Sequence, residues 1–208
     1  MENNIVIDKM VIGDYLDILA TKNPVPGGGS VAGVNSAQGV ALILMVLDLT
    51  EGKEKYKEYE KENAKVKEDA LELFKILKGA ADEDVSAFSK VALAYKIPKE
   101  DPNKKMEIGK ASLGATKAPF KLMEKSLEGC KLIENLIGKT NKTAVSDLAV
   151  AAFCFDSAVK SAWLNVKINL PYLLDEEDKK YFKSKGEMIL KEIDLLVKDI
   201  NEKVLNSI

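Results

Sequence analysis

A chain of 208 residues is near the upper end of single-domain size, and with 46% hydrophobic and 31% charged residues it can enclose a core. Lysine plus arginine numbers 31 against 33 acids, a net charge of -2 that argues against a general nucleic-acid binder, which needs a strongly basic face. Histidine is absent, so His-based metal sites and Ser-His-Asp or Cys-His nucleophiles are excluded, and any acid or base is Asp, Glu, Lys, Tyr, Cys, backbone or water.

Met1-Glu2-Asn3-Asn4 lacks the basic start and apolar core of a secretion signal. Ile5 to Leu19 is compatible with a short helix carrying Met10, Val11, Tyr15, Leu16 and Leu19 on its apolar side. Two prolines and three consecutive glycines make Thr21 to Gly29 a loop, after which Ser30 is placed to cap a mostly apolar helix to about Leu49. Gly33, Ala37 and Ala41 form a line of small residues on it, and Gly39 carries a propensity cost that packing must offset. The longest uninterrupted apolar run, Val40 to Leu47, is too short to cross a bilayer, so no membrane partner is expected and the chain reads as cytoplasmic. From Lys53 to Lys78, Tyr56, Tyr59, Asn63, Val66, Ala70, Leu73 and Leu77 alternate spacings of three and four, the strongest helical signal in the chain. A helix over Ala81 to Lys96 follows, and Pro98 and Pro102 bracket a connector. Lys104 to Gly129 is helical again, with a boundary or kink expected near Ala118 because Pro119 removes a donor. A further helical run passes through Cys130 to Ile137. Val145 to Leu164 supplies a second mostly apolar helix, and Glu176 to Val204 the last, with Tyr181, Met188, Leu195 and Leu196 among its charges. Cys130 and Cys154 have neither metal-site nor disulfide spacing. The expectation is an all-α, single-domain multi-helix bundle over residues 1–208, with two central apolar helices.

Three constellations carry chemistry. In Pro24-Val25-Pro26-Gly27-Gly28-Gly29-Ser30 the missing side chains leave backbone N–H groups open to a carboxylate, phosphate or carbonyl at a helix start, unless the glycines only form a tight turn. Asp82-Glu83-Asp84 fits capping charge in a first helical turn, or else Asp84 enters a pocket where desolvation raises its pKa for acid/base work. Two residues apart, Asp82 and Asp84 do not share one helix face as a simple dyad. Ser146-Asp147 fits the cap of the second apolar helix, and Asn165, Lys167 and Asn169 fit its exit, where they either satisfy backbone groups or orient a polar heterocycle or carboxylate. Asp156 and Lys160, one turn apart, read as a surface pair, and Cys154 and Trp163 as core or pocket wall.

Taken in order, Pro26-Gly27-Gly28-Gly29-Ser30, Asp84-Val85-Ser86-Ala87-Phe88, Ser146-Asp147-Leu148-Ala149-Val150-Ala151-Ala152 and Leu164-Asn165-Val166-Lys167-Ile168-Asn169-Leu170 resemble the formiminotransferase-cyclodeaminase C-terminal-domain family, also represented by stand-alone methenyltetrahydrofolate cyclohydrolases. The resemblance implies an all-helical, generally dimeric fold that takes a tetrahydrofolate derivative as substrate, with or without a polyglutamate tail, near the glycine loop, in a reaction that calls for no metal. It implies Asp84 as the catalytic proton shuttle, with neighbouring Asp82 as a second catalytic carboxylate stabilising the cationic one-carbon centre. Gly27, Gly28, Gly29 and Ser30 would hold folate polar groups, while Ser146, Asp147, Asn165, Lys167 and Asn169 orient the pterin or glutamate end. The family has Gly-Asn before its Ser-Asp motif where this chain has Thr140-Asn141, with Gly138 two residues earlier, so a rebuilt turn is expected. Only the C-terminal domain of the bifunctional enzymes is matched, so channelling from an attached formiminotransferase is not expected. That favours hydrolysis of 5,10-methenyltetrahydrofolate to 10-formyltetrahydrofolate over cyclodeamination of 5-formiminotetrahydrofolate, with a non-catalytic folate-binding or assembly protein as the third possibility.

Overall fold

A computed structural model describes residues 6–208. Ile5, where the first helical pattern begins, and Met1 to Asn4 lie outside the described residues. After a 3-10 turn at Ile7–Lys9 come seven α-helices: α1 Ile12–Leu19, α2 Gly28–Asp48, α3 Glu60–Lys78, α4 Ala80–Lys96, α5 Lys104–Glu134, α6 Val145–Asn169 and α7 Glu176–Leu205. No strand occurs among the described residues.

The two apolar helices pair at the centre. Asn35 Nδ2 of α2 donates to Ser157 Oγ of α6 at 3.0 Å, and a Cβ on Gly39 would fall 3.0 Å from the Phe155 ring and 3.1 Å from the Ala151 carbonyl. At the end of α2, the Asn141 N–H donates to Thr50 Oγ1 at 2.9 Å, so the start of α6 meets the end of α2 and the pair is antiparallel. Gly39 therefore offsets its propensity cost by letting the two helices close on Phe155. Phe155, Ile43, Met123, Ile133 and Leu148 are fully buried there, each stabilising the fold by about 1.5–3 kcal/mol relative to an exposed side chain. On the outside of α6, α7 approaches closely enough that a Cβ on Gly186 would overlap the Trp163 ring at 2.1 Å. Taken as a whole helix, α2 is long and apolar enough to cross a membrane by length and composition, which its eight-residue run had argued against. In this fold its apolar surface packs on α3, α4 and α6.

Several boundaries move. Residues Glu54–Tyr59 form a 3-10 turn and not the first turns of α3, because Tyr56 turns inward to accept the Lys142 N–H on its hydroxyl at 2.9 Å. Of the boundary or kink expected near Ala118, the boundary is absent: α5 continues through Pro119 to Glu134. Proline removes the N–H that the Ala115 carbonyl would accept, and Asn169 Nδ2, reaching across from α6, donates to that carbonyl at 3.2 Å in its place. Asn165 and Asn169 thus belong to the last turns of α6 and do not follow it. On α7 the inward residues are Phe182, Ile189, Ile193, Leu196 and Val197, while Tyr181, Met188 and Leu195 face outward.

Candidate active site at the start of α2

Ser30 does not cap α2. The helix begins two residues earlier, with Gly27 extended before it and the Val31 N–H making the first intrahelical bond, to the Gly27 carbonyl at 3.0 Å. The amides of Gly28, Gly29 and Ser30 therefore point out of the helix start without intrahelical partners, a positive end that attracts an anion. That anion is Asp84. Gly33 lacks the side chain that would fall 2.7 Å from the Ala81 nitrogen, so the backbones of α2 and α4 touch and the next turn of α4 lays its carboxylate over Gly29. A Cβ on Gly29 would sit 2.0 Å from Asp84 Oδ1. Ser30, fully buried, donates from Oγ to Asp84 Oδ2 at 3.3 Å, with the Ala81 carbonyl at 3.5 Å.

Burial pushes the Asp84 carboxyl above its ordinary value, and the hydroxyl and amide of Ser30 pull it partly back. The result is a carboxylate that holds its proton more tightly than a free one does, the direction of shift that acid–base work favours. Tyr15 stands beside it. Its hydroxyl is buried without a hydrogen-bond partner, and its pKa is raised by burial and by the charge of Asp84. In the sequence Tyr15 was legible only as one more apolar position of α1. Asn165 closes the other side, since a Cβ on Gly28 would lie 4.0 Å from its Nδ2, which donates back to the Ser161 carbonyl at 2.9 Å. Gly28 itself is exposed, so the polar edge between Gly28, Asp84 and Asn165 stays open.

Other expected site residues lie elsewhere. Asp82 accepts the N–H groups of Ile7, at 2.7 Å, and Asp8, at 3.3 Å, and so ties the N-terminal turn to α4 instead of joining Asp84. Asn169 has its amide nitrogen committed to the carbonyls of Ala115 and Asn165 and acts as a bracket between helices. Lys167, two residues from Asn165 and hence on the opposite side of the helix, is exposed. Ser146 and Asp147 start α6 at its far end, about 28 Å from Asn165 at the rise of an α-helix, so one chain does not bring them to Asp84. Asp156 and Lys160 do pair, at 2.8 Å, and Lys160 also reaches Asp194 at the same distance. Cys130 is buried and its thiol is pushed up to about 12, which leaves it no nucleophilic role.

A cavity of about 150 Å³ lies at the opposite end of the bundle, between the end of α2 and the start of α3, lined by Leu47, Thr50, Tyr56 and Asn63. Of its three lysines, Lys67 is paired with Asp48 at 2.7 Å and Glu51 at 2.6 Å, and Lys57 with Glu54 at 3.2 Å.

Residues 11–187 match the family model described as formiminotransferase-cyclodeaminase. The chain is 34% identical over 204 residues to the methenyltetrahydrofolate cyclohydrolase of Methylorubrum extorquens, covering 95% of both. It is 28% identical over 178 residues to the formimidoyltransferase-cyclodeaminase of Rattus norvegicus, of which it spans 33%. The solved formiminotetrahydrofolate cyclodeaminase of Thermotoga maritima superposes with a TM-score of 0.80 at 26% identity, over 97% of this chain and 96% of that one. An all-helical chain with the glycine turn and its carboxylate in place, matched over most of its length by sequence and by structure, belongs to the formiminotransferase-cyclodeaminase family.

Proposed function

We propose that this chain is a methenyltetrahydrofolate cyclohydrolase, with Asp84 moving the proton. The observation that carries the reading is a single desolvated carboxylate held over the amide-rich start of a helix by Ser30, beside an open polar edge. The ionised carboxylate stabilises the cationic methenyl carbon and takes a proton from the attacking water as the new C–O bond forms. It then gives that proton to N5 as the C–N5 bond breaks. The hydroxyl proton leaves to solvent as the carbonyl forms, so 10-formyltetrahydrofolate and one proton are the products. Gly28 and Asn165 present the polar groups that orient the pterin, and Tyr15 borders the reacting region.

Cyclodeamination of 5-formiminotetrahydrofolate is the second reading, supported by the likeness to the Thermotoga maritima enzyme. Purified protein given each substrate separately distinguishes the two. Loss of methenyl absorbance faster than a matched protein-free control supports the cyclohydrolase, ammonia release the cyclodeaminase, and neither activity a folate-binding or assembly role.

A homodimer is part of the same proposal. Helices α2 and α6 carry Met45, Val150, Phe153, Leu164 and Ile168 exposed on their outer faces, and α2 has no charged residue before Asp48. Light scattering on the wild type and on Leu164→Asp/Ile168→Asp checks it: the wild type runs at twice the chain mass and the variant at one. A monomeric wild type removes the dimer from the proposal.

A further inference from the structure

We infer that Tyr15 is a positioning residue for the proton shuttle: with substrate bound, its hydroxyl donates to the Asp84 carboxylate and holds that group ionised toward the reacting carbon. The inference rests on the folate reading above. Of the eight residues of α1, Tyr15 alone is buried. It forms a small apolar cluster with Ile7 and Ala81, against which Val31 and Val85 pack. Val31 follows Ser30, Val85 follows Asp84, and the Ala81 carbonyl lies 3.5 Å from Ser30 Oγ. The cluster therefore flanks the contact between Ser30 and Asp84 on the α1 side.

Tyr15 Oη is shut off from solvent without a hydrogen-bond partner. A phenylalanine would pack there without the cost of burying an unmet donor, so packing does not account for the hydroxyl. Burial raises its pKa and the charge of Asp84 raises it further, so the carboxylate is near enough to act on it. Asp84 has capacity to spare: Ser30 Oγ donates to Oδ2 at 3.3 Å, and an ionised carboxylate accepts about four hydrogen bonds. In the resting chain, burial disfavours the ionised form. A cationic one-carbon centre favours it, and an ionised carboxylate draws a donor about twice as strongly as a neutral acceptor does. Helix α1 can follow that pull, because its remaining residues are exposed or half-buried and a small movement of so lightly packed an element costs little.

Among the described residues, the other ionisable groups around this contact are engaged or face solvent. Helix α2 carries no charged residue before Asp48. On α4, Asp82 accepts the Ile7 and Asp8 amides, and Glu83 pairs with Lys121 at 3.1 Å. In the N-terminal turn, Asp8 pairs with Lys78 at 3.0 Å and Lys9 at 3.2 Å. Asp14 and Asp17 of α1, Lys22 beyond it and Lys167 of α6 are exposed. Tyr15 is the buried side-chain donor left for Asp84 besides Ser30.

The test combines kcat and KM against pH for methenyltetrahydrofolate hydrolysis with urea unfolding of the ligand-free protein, in wild type, Tyr15→Phe and Tyr56→Phe. Losing a donor to the ionised form raises the carboxylate's pKa, so the acid limb of Tyr15→Phe should move up by about one pH unit. On that limb kcat should fall about ten-fold, with KM within about two-fold. No bond is lost from the ligand-free fold, so the urea midpoint of Tyr15→Phe should equal or exceed that of the wild type. Tyr56→Phe gives up the bond from the Lys142 N–H at 2.9 Å and should do the reverse, with a lower midpoint and the wild-type acid limb. An acid limb in Tyr15→Phe that coincides with the wild type's overturns the inference and leaves the folate reading intact. A midpoint that falls as far as that of Tyr56→Phe also overturns it, since the hydroxyl would then be a structural bond of the resting fold. If the wild type instead releases ammonia from 5-formiminotetrahydrofolate, the same comparison is made on that turnover. Turnover of neither substrate removes the folate reading, and the role of Tyr15 with it.

Discussion

The two ends of the antiparallel α2–α6 pair are both polar, but they treat their polar groups differently. Where α2 ends, the Thr50 hydroxyl donates to the Val46 carbonyl at 2.7 Å and accepts the Asn141 N–H at 2.9 Å. Asn141 reaches the Leu49 carbonyl at 3.3 Å, and Tyr56 takes the Lys142 N–H. Those groups knit three segments together and keep little capacity for a ligand. Where α2 begins, Asp84 is held by one serine, the Tyr15 hydroxyl is buried without a partner, and Gly28 is open. A buried polar group left partly unsatisfied costs stability, and the joining end has one too, Asn63 Oδ1, on a side chain tied by its amide nitrogen to the Lys139 carbonyl at 2.9 Å; what sets the other end apart is that its incompletely satisfied groups, Asp84 and Tyr15, are titratable.

The comparison can be broken by mutation. The largest effect belongs to Asp84→Asn, which keeps the shape and removes the proton shuttle. Its kcat should fall about 10²–10⁴-fold with folate affinity within a few-fold, read by methenyl hydrolysis and by calorimetry. Equal turnover would reduce Asp84 to a helix cap. Next comes Gly29→Ala, whose methyl would overlap the Asp84 carboxylate and displace it. A shift of about 1 Å at the reacting group costs on the order of 10²-fold in rate, so kcat should fall by that order while the helix content seen by circular dichroism stays constant. At the joining end, Thr50→Val should lower stability by about 1–2 kcal/mol with kcat unchanged, measured by urea unfolding and turnover. The smallest effect is conditional. Asn169→Ala orphans the Ala115 carbonyl and should cost about 1 kcal/mol, but less in a Pro119→Ala background, where residue 119 regains the N–H that carbonyl lacks. Additive costs in that double-mutant cycle would sever Asn169 from Pro119.

Stability against pH sharpens the same contrast. Asp84 binds its proton more tightly folded than unfolded, so its ionised form costs stability, and the cost is relieved as pH falls through the raised folded pKa toward 3.8. Asp8 is the opposite case. Hydrogen bonds from Lys78 and Lys9 lower its pKa, so the stability it contributes is present above 3.8 and is lost as pH falls through the lowered value.

Most of the helices were legible in the sequence, because apolar spacing of three and four survives in α3 and Gly or Pro marks the connectors. Pro119 misled because a proline's effect depends on who satisfies the orphaned carbonyl, and that partner, Asn169, is 50 positions away in the chain. Stopping α6 at Leu164 put Asn165 and Asn169 at the helix exit, when the helix continues through both. Asp84 could be singled out as an acid, but its place over Gly29 depends on the close approach at Gly33, which no local pattern encodes. Order along the chain also suggested that Ser146 and Asp147 share a site with Asn165. An unbroken helix between them keeps them apart in one protomer. Tyr15 was hidden among apolar residues, for its partnerless hydroxyl exists only after α1 folds over the starts of α2 and α4.

The proton shuttle is tested most directly by kcat for methenyltetrahydrofolate hydrolysis against pH, corrected for the spontaneous rate, in wild type and Asp84→Asn. A general base with a raised pKa gives the wild type an acid limb above 3.8, activity falling as the carboxylate takes its proton, and the variant's residual rate should show no such limb. The same acid limb in both proteins would place the titrating group elsewhere.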